Sequence, residues 1–361
     1  MELENSNYTL EELQVILGYF SIAQDSFQFK ALTAGYINDT FLVTTPDRPL
    51  YILQRINHQV FKDIDGLMQN VVKALDSLKA ADYAQIKLIP TKSKTDYTYA
   101  LKGYWRLMTF IPNSTTFNTT SDKKIAFEAG RIIGKFHVLL QKENTSEYVD
   151  TIPKFHDLTY RSLEFNNALR DAHQSKLEIA KAAIAYAQTT LQKLKAIKID
   201  KLMIRVCHND TKLNNILFSK DSGKALSLID LDTLMKGYFF YDFGDAVRTI
   251  VNTAPEDEQD HSKITFKLNL LESFVKGLSS NASFLTKEEL ESLPLGTVFM
   301  PFIHGLRALT DYLNNNKYYK VSYENQNLDR CSSLFAFAEK ALANQKAIQH
   351  VLRNHFSDKL A

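Results

Sequence analysis

The chain has 361 residues, of which 45% are hydrophobic and 23% charged. That length exceeds what one typical core needs, so two lobes are expected, and the composition gives no reason to expect disorder. A formal charge of +2, from 43 basic and 41 acidic residues, excludes a broad electrostatic attraction to nucleic acid or anionic membranes. Any phosphate binding must therefore be local.

Cysteine content and the N-terminus both bear on the compartment. Cys207 and Cys331 are too few for a disulfide framework and lack metal-ligand spacing, which favours a reducing compartment. The first 20 residues carry acids where a signal peptide would carry a basic end and an apolar run. No apolar stretch approaches the roughly 20 residues needed to cross a bilayer. We therefore expect a cytoplasmic protein with no membrane or nucleic-acid partner.

The first third of the chain is typical of a small sheet with one helix packed on it. A capping box between Thr9 and Glu12 predicts a short first helix. Runs of β-branched and aromatic residues between turn-forming residues predict antiparallel strands at residues 27–33, 41–45, 50–56, 86–90 and 97–110. Asp63 can cap a second helix that runs to about Lys79, with apolar residues along one face.

Beyond Pro112 the pattern becomes helical. Helical periodicity covers residues 122–141, 160–195 and 324–355. Short strands interrupt these helices at residues 203–207, 215–219 and 225–231. A turn at 221–223 joins the last two into a hairpin. We therefore expect a sheet-rich N-lobe, residues 1–111, and a mainly helical C-lobe, residues 112–361, that contains a small β-hairpin.

The most informative segment runs from His208 to Asn215 and is followed, fifteen residues later, by Asp230. Phosphoryl transfer uses an Asp that accepts or orients the substrate hydroxyl, an Asn five residues later that holds magnesium, and a second Asp returned by a hairpin. Asp210, Asn215 and Asp230 have this spacing. Lys212 can supply a cation for the transferred phosphoryl group. The segment therefore predicts an ATP- and magnesium-dependent phosphotransferase.

Neighbouring polar residues are open to structural interpretations. A lone His-x-Asp is more often a surface turn, but its combination with Lys212, Asn215 and Asp230 favours a catalytic segment. His208 is interpreted as a brace for the catalytic loop. Asp230 and Asp232 point to the same side of an extended strand, so both could face the metal. A second acidic motif, with Asp242 and Asp245, lies too far along the chain for a short hairpin to return it. One of these two carboxylates is predicted to brace the catalytic loop.

Candidate nucleotide contacts lie in the first third. A turn that can present backbone N–H groups to phosphate, but that also fits a plain hairpin loop, carries Gly35, Asn38, Asp39 and Thr40. Arg55 is the candidate phosphate cation, with Gln54 as the alternative if the strand faces the other way. The chain has no glutamate between residues 12 and 128 to anchor this cation. Backbone groups of Phe110 and Ile111 are candidates for adenine binding, although a buried strand end explains them equally well.

These motifs resemble the aminoglycoside phosphotransferase and choline kinase superfamily. Within it, the runs at 208–215, 229–233 and 241–246 are similar to the N-acetylhexosamine 1-kinases, as are the segments at 35–40, 53–57 and 306–313. The resemblance implies an α+β, bilobal protein-kinase-like fold that uses ATP and Mg²⁺. It also implies transfer of the γ-phosphate of ATP to the C1 hydroxyl of N-acetylglucosamine or N-acetylgalactosamine.

By the same resemblance, Asp210 is the catalytic base, and Asn215 and Asp230 hold magnesium. The residues that it implies around the sugar are Asp210, Lys212, Asp232, Arg307 and Tyr318. Arg307 could equally be an ordinary helix-surface residue, and the adjacent Tyr319 leaves the assignment of Tyr318 uncertain by one position.

Two other functions remain open from the sequence. One is a kinase of another small alcohol, such as choline, homoserine or an aminoglycoside. Cationic substrates need aromatic cages or clustered acids, whereas residues 300–330 offer a mixed set: Arg307, Asp311, Tyr318 and Lys320. A neutral polyol therefore fits better. The other is a non-catalytic, kinase-shaped binding protein, which the presence of Asp210, Asn215 and Asp230 argues against.

Overall fold

The computed structural model describes residues 8–23, 25–32, 37–195, 199 and 201–360. Its N-terminal part is a six-stranded antiparallel sheet with the path β1-β2-β3-β6-β4, and β5 pairs with β6. The strands are β1 Gln28–Leu32, β2 Asp39–Thr44, β3 Pro49–Ile56, β4 Leu88–Ile89, β5 Thr98–Ala100 and β6 Gly103–Thr109. All five predicted strand regions are confirmed. The region at 97–110 forms two strands because a turn with positive φ at Leu101 and Lys102 divides it.

Two helices flank this sheet. α1 (Leu10–Leu17) begins with the predicted capping box between Thr9 and Glu12. α2 (Ile64–Ser77) begins after Asp63, whose carboxylate accepts a backbone N–H as predicted. α1 shares a small core with one face of the sheet, whereas α2 belongs to the larger core that continues into the C-terminal helices. The sheet therefore has one face under α1 and the other toward α2 and the rest of the chain.

Helices dominate the C-terminal part. They are α3 Lys123–Leu140, α4 Leu158–Asp171, α5 Gln174–Ile179, α6 Lys181–Lys195, α7 Phe239–Ile250, α8 Leu268–Ser279, α9 Lys287–Leu313, α10 Gln326–Ala343, α11 Gln345–His355 and α12 Ser357–Leu360. The predicted helical region at 160–195 is three helices, and α7, α8 and α9 were not predicted. Within the described residues, no helix combines the length and apolar character needed to span a membrane.

Five short strands lie among these helices and carry the catalytic motif. They are β7 Ser114–Thr115, β8 Arg205–Cys207, β9 Ile216–Ser219, β10 Ala225–Leu228 and β11 Met235–Gly237. β9 and β10 form the predicted hairpin, whose turn uses Gly223 at φ 65°. β7 pairs with β9, so the chain has reached the C-terminal part by residue 114. The division at residues 111 and 112 stays a prediction, and the α+β class is confirmed.

Candidate active site

Three predicted catalytic side chains lie in contact just after β8. The Lys212 ammonium lies 2.8 Å from Asp210 Oδ2. The side-chain amide of Asn215 donates to the same oxygen at 2.9 Å and to the Asp210 carbonyl at 2.8 Å. The Asp210 side chain is 19% exposed, so a small molecule can reach it. Because Asn215 donates with its amide nitrogen, its amide oxygen is the atom that can bind a cation.

The loop after β8 is held by Asp242, a fully buried residue of α7. One Asp242 carboxylate oxygen accepts from the His208 backbone N–H at 2.9 Å and from the His137 ring at 2.8 Å. The other accepts from the Asn209 backbone N–H at 2.7 Å. The predicted bracing role is therefore confirmed for Asp242, whereas Asp245 makes different contacts.

Asp230 is placed beside Asn215 by two hydrogen bonds at Ile229. The Ile229 N–H donates to the Asn215 carbonyl at 2.9 Å, and the Ile229 carbonyl accepts from His208 Nε2 at 2.9 Å. The other His208 ring nitrogen accepts from the Asp210 backbone N–H at 3.3 Å. His208 is thus the structural brace that the sequence predicted. Asp230 adopts a left-handed backbone, with φ 61°, and its side chain is exposed.

The charges around Asp210 set the protonation of its neighbours. Although the residue as a whole is exposed, the protein around the Asp230 carboxyl group displaces part of its solvent, and this desolvation, followed by the Asp232 carboxylate, raises the pKa of Asp230 to about 6. Burial disfavours the charge of Lys212, but the carboxylates of Asp210 and Asp230 outweigh it and raise the pKa of Lys212. Lys212 is therefore a cation at neutral pH. A bound cation beside Asp230 would favour its ionised form.

Arg55, the predicted phosphate cation, points away from this cluster. Adjacent residues of a strand face opposite sides of a sheet. Arg55 pairs with Asp39 at 3.0 Å on the face that packs under α1. Gln54 is buried on the other face, where its amide donates to the Thr40 hydroxyl at 3.0 Å. The structure therefore places Gln54, the alternative to Arg55, on the face toward the catalytic segment.

The other nucleotide candidates differ in what they contact. Gly35 lies outside the described residues, and Asn38 donates to Asp232 at 2.7 Å. The Phe110 N–H donates to a carbonyl of β3 at 2.9 Å, and the Ile111 carbonyl accepts from a serine hydroxyl at 2.6 Å. An adenine ring would therefore have to meet the remaining groups of this pair, the Phe110 carbonyl and the Ile111 N–H.

Arg106, in β6, is a buried cation that the sequence analysis missed. It is 2% exposed, and its guanidinium donates to Gln54 Oε1 at 2.6 and 3.0 Å. It also lies 2.5 Å from Asp232 Oδ1, as an ion pair without the angle of a linear hydrogen bond. Asp232, predicted to contact the sugar, is therefore engaged by the sheet. The available signal was one arginine within a mostly apolar strand.

A cavity of about 460 Å³ opens beside Asp210, and we call it the acceptor cavity. Its charged lining residues are Asp210, Glu256, Asp257, Lys212, Arg248, Lys320 and Arg330. Three negative and four positive groups leave the wall near balance, with a slight positive excess. A larger cavity of about 730 Å³ lies behind the catalytic loop, but its described lining does not include Asp210. Chemistry rather than size therefore identifies the acceptor cavity.

The arginines of the acceptor cavity are held by carboxylates. Arg248 pairs with Asp245 at 2.7 Å and with Glu256, and Arg330 pairs with Glu256 at 2.8 Å. Burial opposes ionisation of Glu256, but the two arginines outweigh it and hold its pKa well below the ordinary value. Paired, buried arginines form a rigid wall. A cationic acceptor would meet like charges there with little free carboxylate to offset them.

Tyr319, rather than Tyr318, lines the acceptor cavity. Tyr318 is 45% exposed and interacts with Arg307, whose guanidinium lies 4.4 Å from the Phe155 ring centroid. Neither predicted residue, Tyr318 or Arg307, belongs to the described lining of the cavity, although the Arg307 guanidinium lies 6.0 Å from the Tyr319 ring centroid. The Asp311 carboxylate accepts the backbone N–H groups of Tyr318 and Tyr319 at 2.8 and 3.0 Å. These two hydrogen bonds fix which tyrosine faces the acceptor cavity.

We expect the folded chain to lose stability as the pH falls below about 6.5 because two buried histidines stay neutral. Burial, followed by the charge of Arg248, lowers the pKa of His304 to about 4. Burial, followed by His304, lowers the pKa of His156 well below its ordinary value. The unfolded chain then binds more protons than the folded one, so unfolding becomes easier as the pH falls. For His304 alone the loss reaches about 3 kcal/mol near pH 4.

Urea unfolding of wild type and His304→Asn at several pH values between about 7 and 5 measures this effect. Asp230, with its pKa raised to about 6, adds stability as the pH falls through this range, but it does so equally in both proteins. The variant should therefore lose less stability across the range than wild type. Asp245 lies 3.2 Å from His304; burial opposes its ionisation, but Arg248 and His304 keep its pKa low. The contribution of Asp245 to stability is therefore lost only below about pH 4, outside the measured pH range. Equal stability of wild type at both ends of the range would contradict the prediction.

A family comparison bears on this geometry. Residues 28–268, more than half of the chain, match the phosphotransferase enzyme family, APH. The chain belongs to that family. It is therefore a phosphotransferase enzyme, and the matched range includes Asp210, Asn215, Asp230 and Asp242. Tyr319 and the loop that carries it, between α9 and α10, lie beyond the matched range.

Solved structures share the fold of this phosphotransferase. A microcompartment-associated aminopropanol kinase has 15% identity and a TM-score of 0.60, covering 94% of this chain and 99% of the other. An amicoumacin kinase solved with AMP-PNP and Ca²⁺ has 15% identity and a TM-score of 0.60, covering 93% and 94%. A choline kinase from Cryptosporidium parvum Iowa II has 11% identity and a TM-score of 0.52, covering 94% of this chain and 92% of the other. The predicted kinase-like fold is confirmed.

Proposed function

We propose that this phosphotransferase uses ATP to phosphorylate the anomeric C1 hydroxyl of N-acetylglucosamine or N-acetylgalactosamine, giving the sugar 1-phosphate. The observation that carries the proposal is the contact of Asp210 with Lys212 and Asn215 at the wall of the acceptor cavity. The cavity volume of about 460 Å³ lies within the range usual for small-molecule sites. Its nearly balanced charge suits a neutral polyol better than choline or an aminoglycoside.

In the proposed reaction, Asp210 takes the proton of the C1 hydroxyl. The hydroxyl oxygen bonds to the γ-phosphorus, and the bond between that phosphorus and the oxygen of the departing ADP breaks. Lys212, held 2.8 Å from Asp210, places a positive charge where the transferred phosphoryl group passes. The residues therefore position the reactants and compensate charge, which is most of what phosphoryl transfer asks of a protein.

Magnesium fits the oxygen donors beside Asp210. The Asn215 amide oxygen and the Asp230 carboxylate would hold Mg²⁺, which when bound neutralises charge on the phosphates. Magnesium needs only one or two protein ligands beside phosphate oxygens and water. Among the described residues, no group of three or more histidine, cysteine, aspartate or glutamate side chains is placed to hold a metal ion.

The nucleotide is proposed to lie between the sheet and the hairpin. The N-lobe, residues 1–111, would bind it, and the C-lobe, residues 112–361, would bind the sugar. The start of β2 lies nearby, since Asn38 already contacts the segment after Asp230. Asp39 and Thr40 follow it on the strand. In this arrangement the buried face of β3, rather than Arg55, borders the phosphates.

A coupled ATP-consumption screen with magnesium tests the proposed function. Free sugars, amino alcohols and aminoglycosides are offered in parallel, and turnover is expected with N-acetylhexosamines. Phosphorus NMR should then show a phosphate monoester at C1. Turnover confined to amino alcohols or aminoglycosides would reject the sugar in favour of another small-alcohol kinase. Absence of turnover with every acceptor would favour a binding role and reject the proposal.

Tyr319 and Tyr318 form a matched pair for locating the sugar. Tyr319→Ala is expected to raise the KM for the sugar about fivefold, because an aromatic face beside a ligand contributes about 1 kcal/mol. Tyr318→Ala, whose ring is turned outward, is expected to have a much smaller effect. Steady-state kinetics with sugar and ATP varied separately measure both. A larger effect from Tyr318→Ala would move the sugar away from the acceptor cavity.

A further inference from the structure

A line of polar side chains connects the sheet to the segment after Asp230. Thr40, Gln54 and Arg106 are cross-strand neighbours on β2, β3 and β6. Gln54 donates to the Thr40 hydroxyl at 3.0 Å and accepts from Arg106 at 2.6 and 3.0 Å. Arg106 then lies 2.5 Å from the Asp232 carboxylate. Because Arg106 and Asp232 are each about 2% exposed or less, this contact is shielded from water and salt.

Asp232 is held from a second side by Asn38. The second Asp232 carboxylate oxygen accepts from the Asn38 amide at 2.7 Å. The Asn38 amide oxygen accepts from the Asn57 backbone N–H at 3.0 Å, which fixes the orientation of the amide. Both carboxylate oxygens therefore have protein partners, and the residue is 1% exposed. Asp230, two residues earlier, is exposed.

The helix on this face of the sheet supplies no acid to Arg106 within the described residues. α2 presents Met68, whose sulfur lies 3.9 Å from Arg106 Nη1. Its own acids are used elsewhere: Asp63 caps the helix, Asp65 accepts from the Tyr97 hydroxyl, and Asp76 pairs with Lys79. In protein kinases a strand cation is paired with a helix glutamate. Here the buried cation is on β6, and its partner belongs to the catalytic segment.

We infer that Arg106 and Asp232 form a positioning pair that holds the catalytic segment against the sheet and aims Asp230, and that Asp232 is not a metal ligand. The inference rests on the proposed function, in which Asn215 and Asp230 hold the metal. Asp232 lies in the 3-10 turn Leu231–Thr233 that directly follows the left-handed backbone of Asp230. Such a backbone persists where surrounding contacts fix it. The ion pair to Arg106 is one such contact.

The affinity of the full chain for Mn²⁺ is measured with a non-hydrolysable ATP analogue present. Whether Arg106→Gln raises or lowers this affinity distinguishes a metal ligand from a positioning pair. If Asp232 were a ligand, Arg106 would compete with the metal for it, and Arg106→Gln would tighten Mn²⁺ binding. As a positioning pair, Arg106→Gln and Asp232→Asn should both weaken Mn²⁺ binding, by about tenfold. Electron paramagnetic resonance of free Mn²⁺ gives the affinity.

ATP kinetics provide the second measurement. Each single variant should lower kcat/KM for ATP about 10²-fold, the cost of misplacing a reacting group. The double variant should be no worse than the poorer single variant, because both remove one interaction. Arg106→Lys, which keeps the charge, should recover part of the loss. Arg48→Gln, at the exposed turn between β2 and β3, is the control and should leave kinetics unchanged.

Several results would overturn the inference that Arg106 and Asp232 form a positioning pair. Tighter or unchanged Mn²⁺ binding in Arg106→Gln, or losses that multiply in the double variant, would do so. If Arg106→Gln fails to fold, Asn38→Ala releases the other Asp232 oxygen, and the same signs apply: weaker Mn²⁺ binding supports the pair and tighter binding rejects it. Failure of wild type to bind Mn²⁺ with the nucleotide would instead reject the proposed function, and the pair with it. Neither the Mn²⁺ affinity nor the comparison of kcat/KM for ATP depends on which sugar is the substrate.

Discussion

Asp210→Asn is expected to lower kcat by about 10²–10⁴-fold, the usual contribution of a general base. Asparagine keeps the shape of the side chain, and its oxygen can still accept the Asn215 amide that now donates at 2.9 Å. It cannot take a proton from the acceptor hydroxyl. The same oxygen can still accept from Lys212 at 2.8 Å, so Lys212 loses only the negative charge of this partner and remains close to the Asp230 carboxylate. The loss should therefore fall on kcat.

Nucleotide affinity separates lost chemistry from lost structure in this variant. Because Asn215 and Asp230 are unchanged, Asp210→Asn should bind an ATP analogue with Mg²⁺ within about threefold of wild type. Asp221→Asn, at the exposed tip of the β9–β10 hairpin, is the matched control and should keep wild-type turnover. Wild-type kcat in Asp210→Asn would remove this residue from the mechanism.

The strands of the sheet could be predicted from sequence because each is a short β-branched or aromatic run between turn-forming residues. α9 (Lys287–Leu313) was missed, and its prolines explain why. Pro294 and Pro301 lie inside the helix, and proline removes a backbone donor and usually ends or kinks a helix. The capping box between Thr286 and Glu289 was the signal that could have located its start.

The catalytic side chains were predictable for a different reason. Asp210, Lys212 and Asn215 lie within six residues, so their spacing alone brings them together. Arg106 and Tyr319 depend on information that spacing lacks. The position of Arg106 follows from which face of β6 is buried beneath α2, and that of Tyr319 from a backbone hydrogen bond to Asp311 near the end of α9, eight residues earlier. Packing between elements decides the first and local loop geometry decides the second, and motif spacing contains neither.

Asp242→Asn is expected to destabilise the folded chain by about 3–5 kcal/mol, the cost of breaking a buried, charged hydrogen-bond group. The carboxylate is fully buried and accepts three bonds, from the backbone of His208 and Asn209 and from the His137 ring. An asparagine has one acceptor oxygen, and its NH₂ would face at least one of these donors. A buried donor left without a partner costs about 1–3 kcal/mol.

Urea unfolding of wild type and Asp242→Asn measures this cost, with Asp171→Asn as the control. Asp171 is exposed beside Arg170, where a substitution changes stability by about 0.5 kcal/mol or less. Because Asp242 holds the two residues that precede Asp210, the chains that still fold should also turn over more slowly. A variant as stable as wild type would mean that the loop after β8 is held by its strands alone, and the bracing carboxylate would be dispensable.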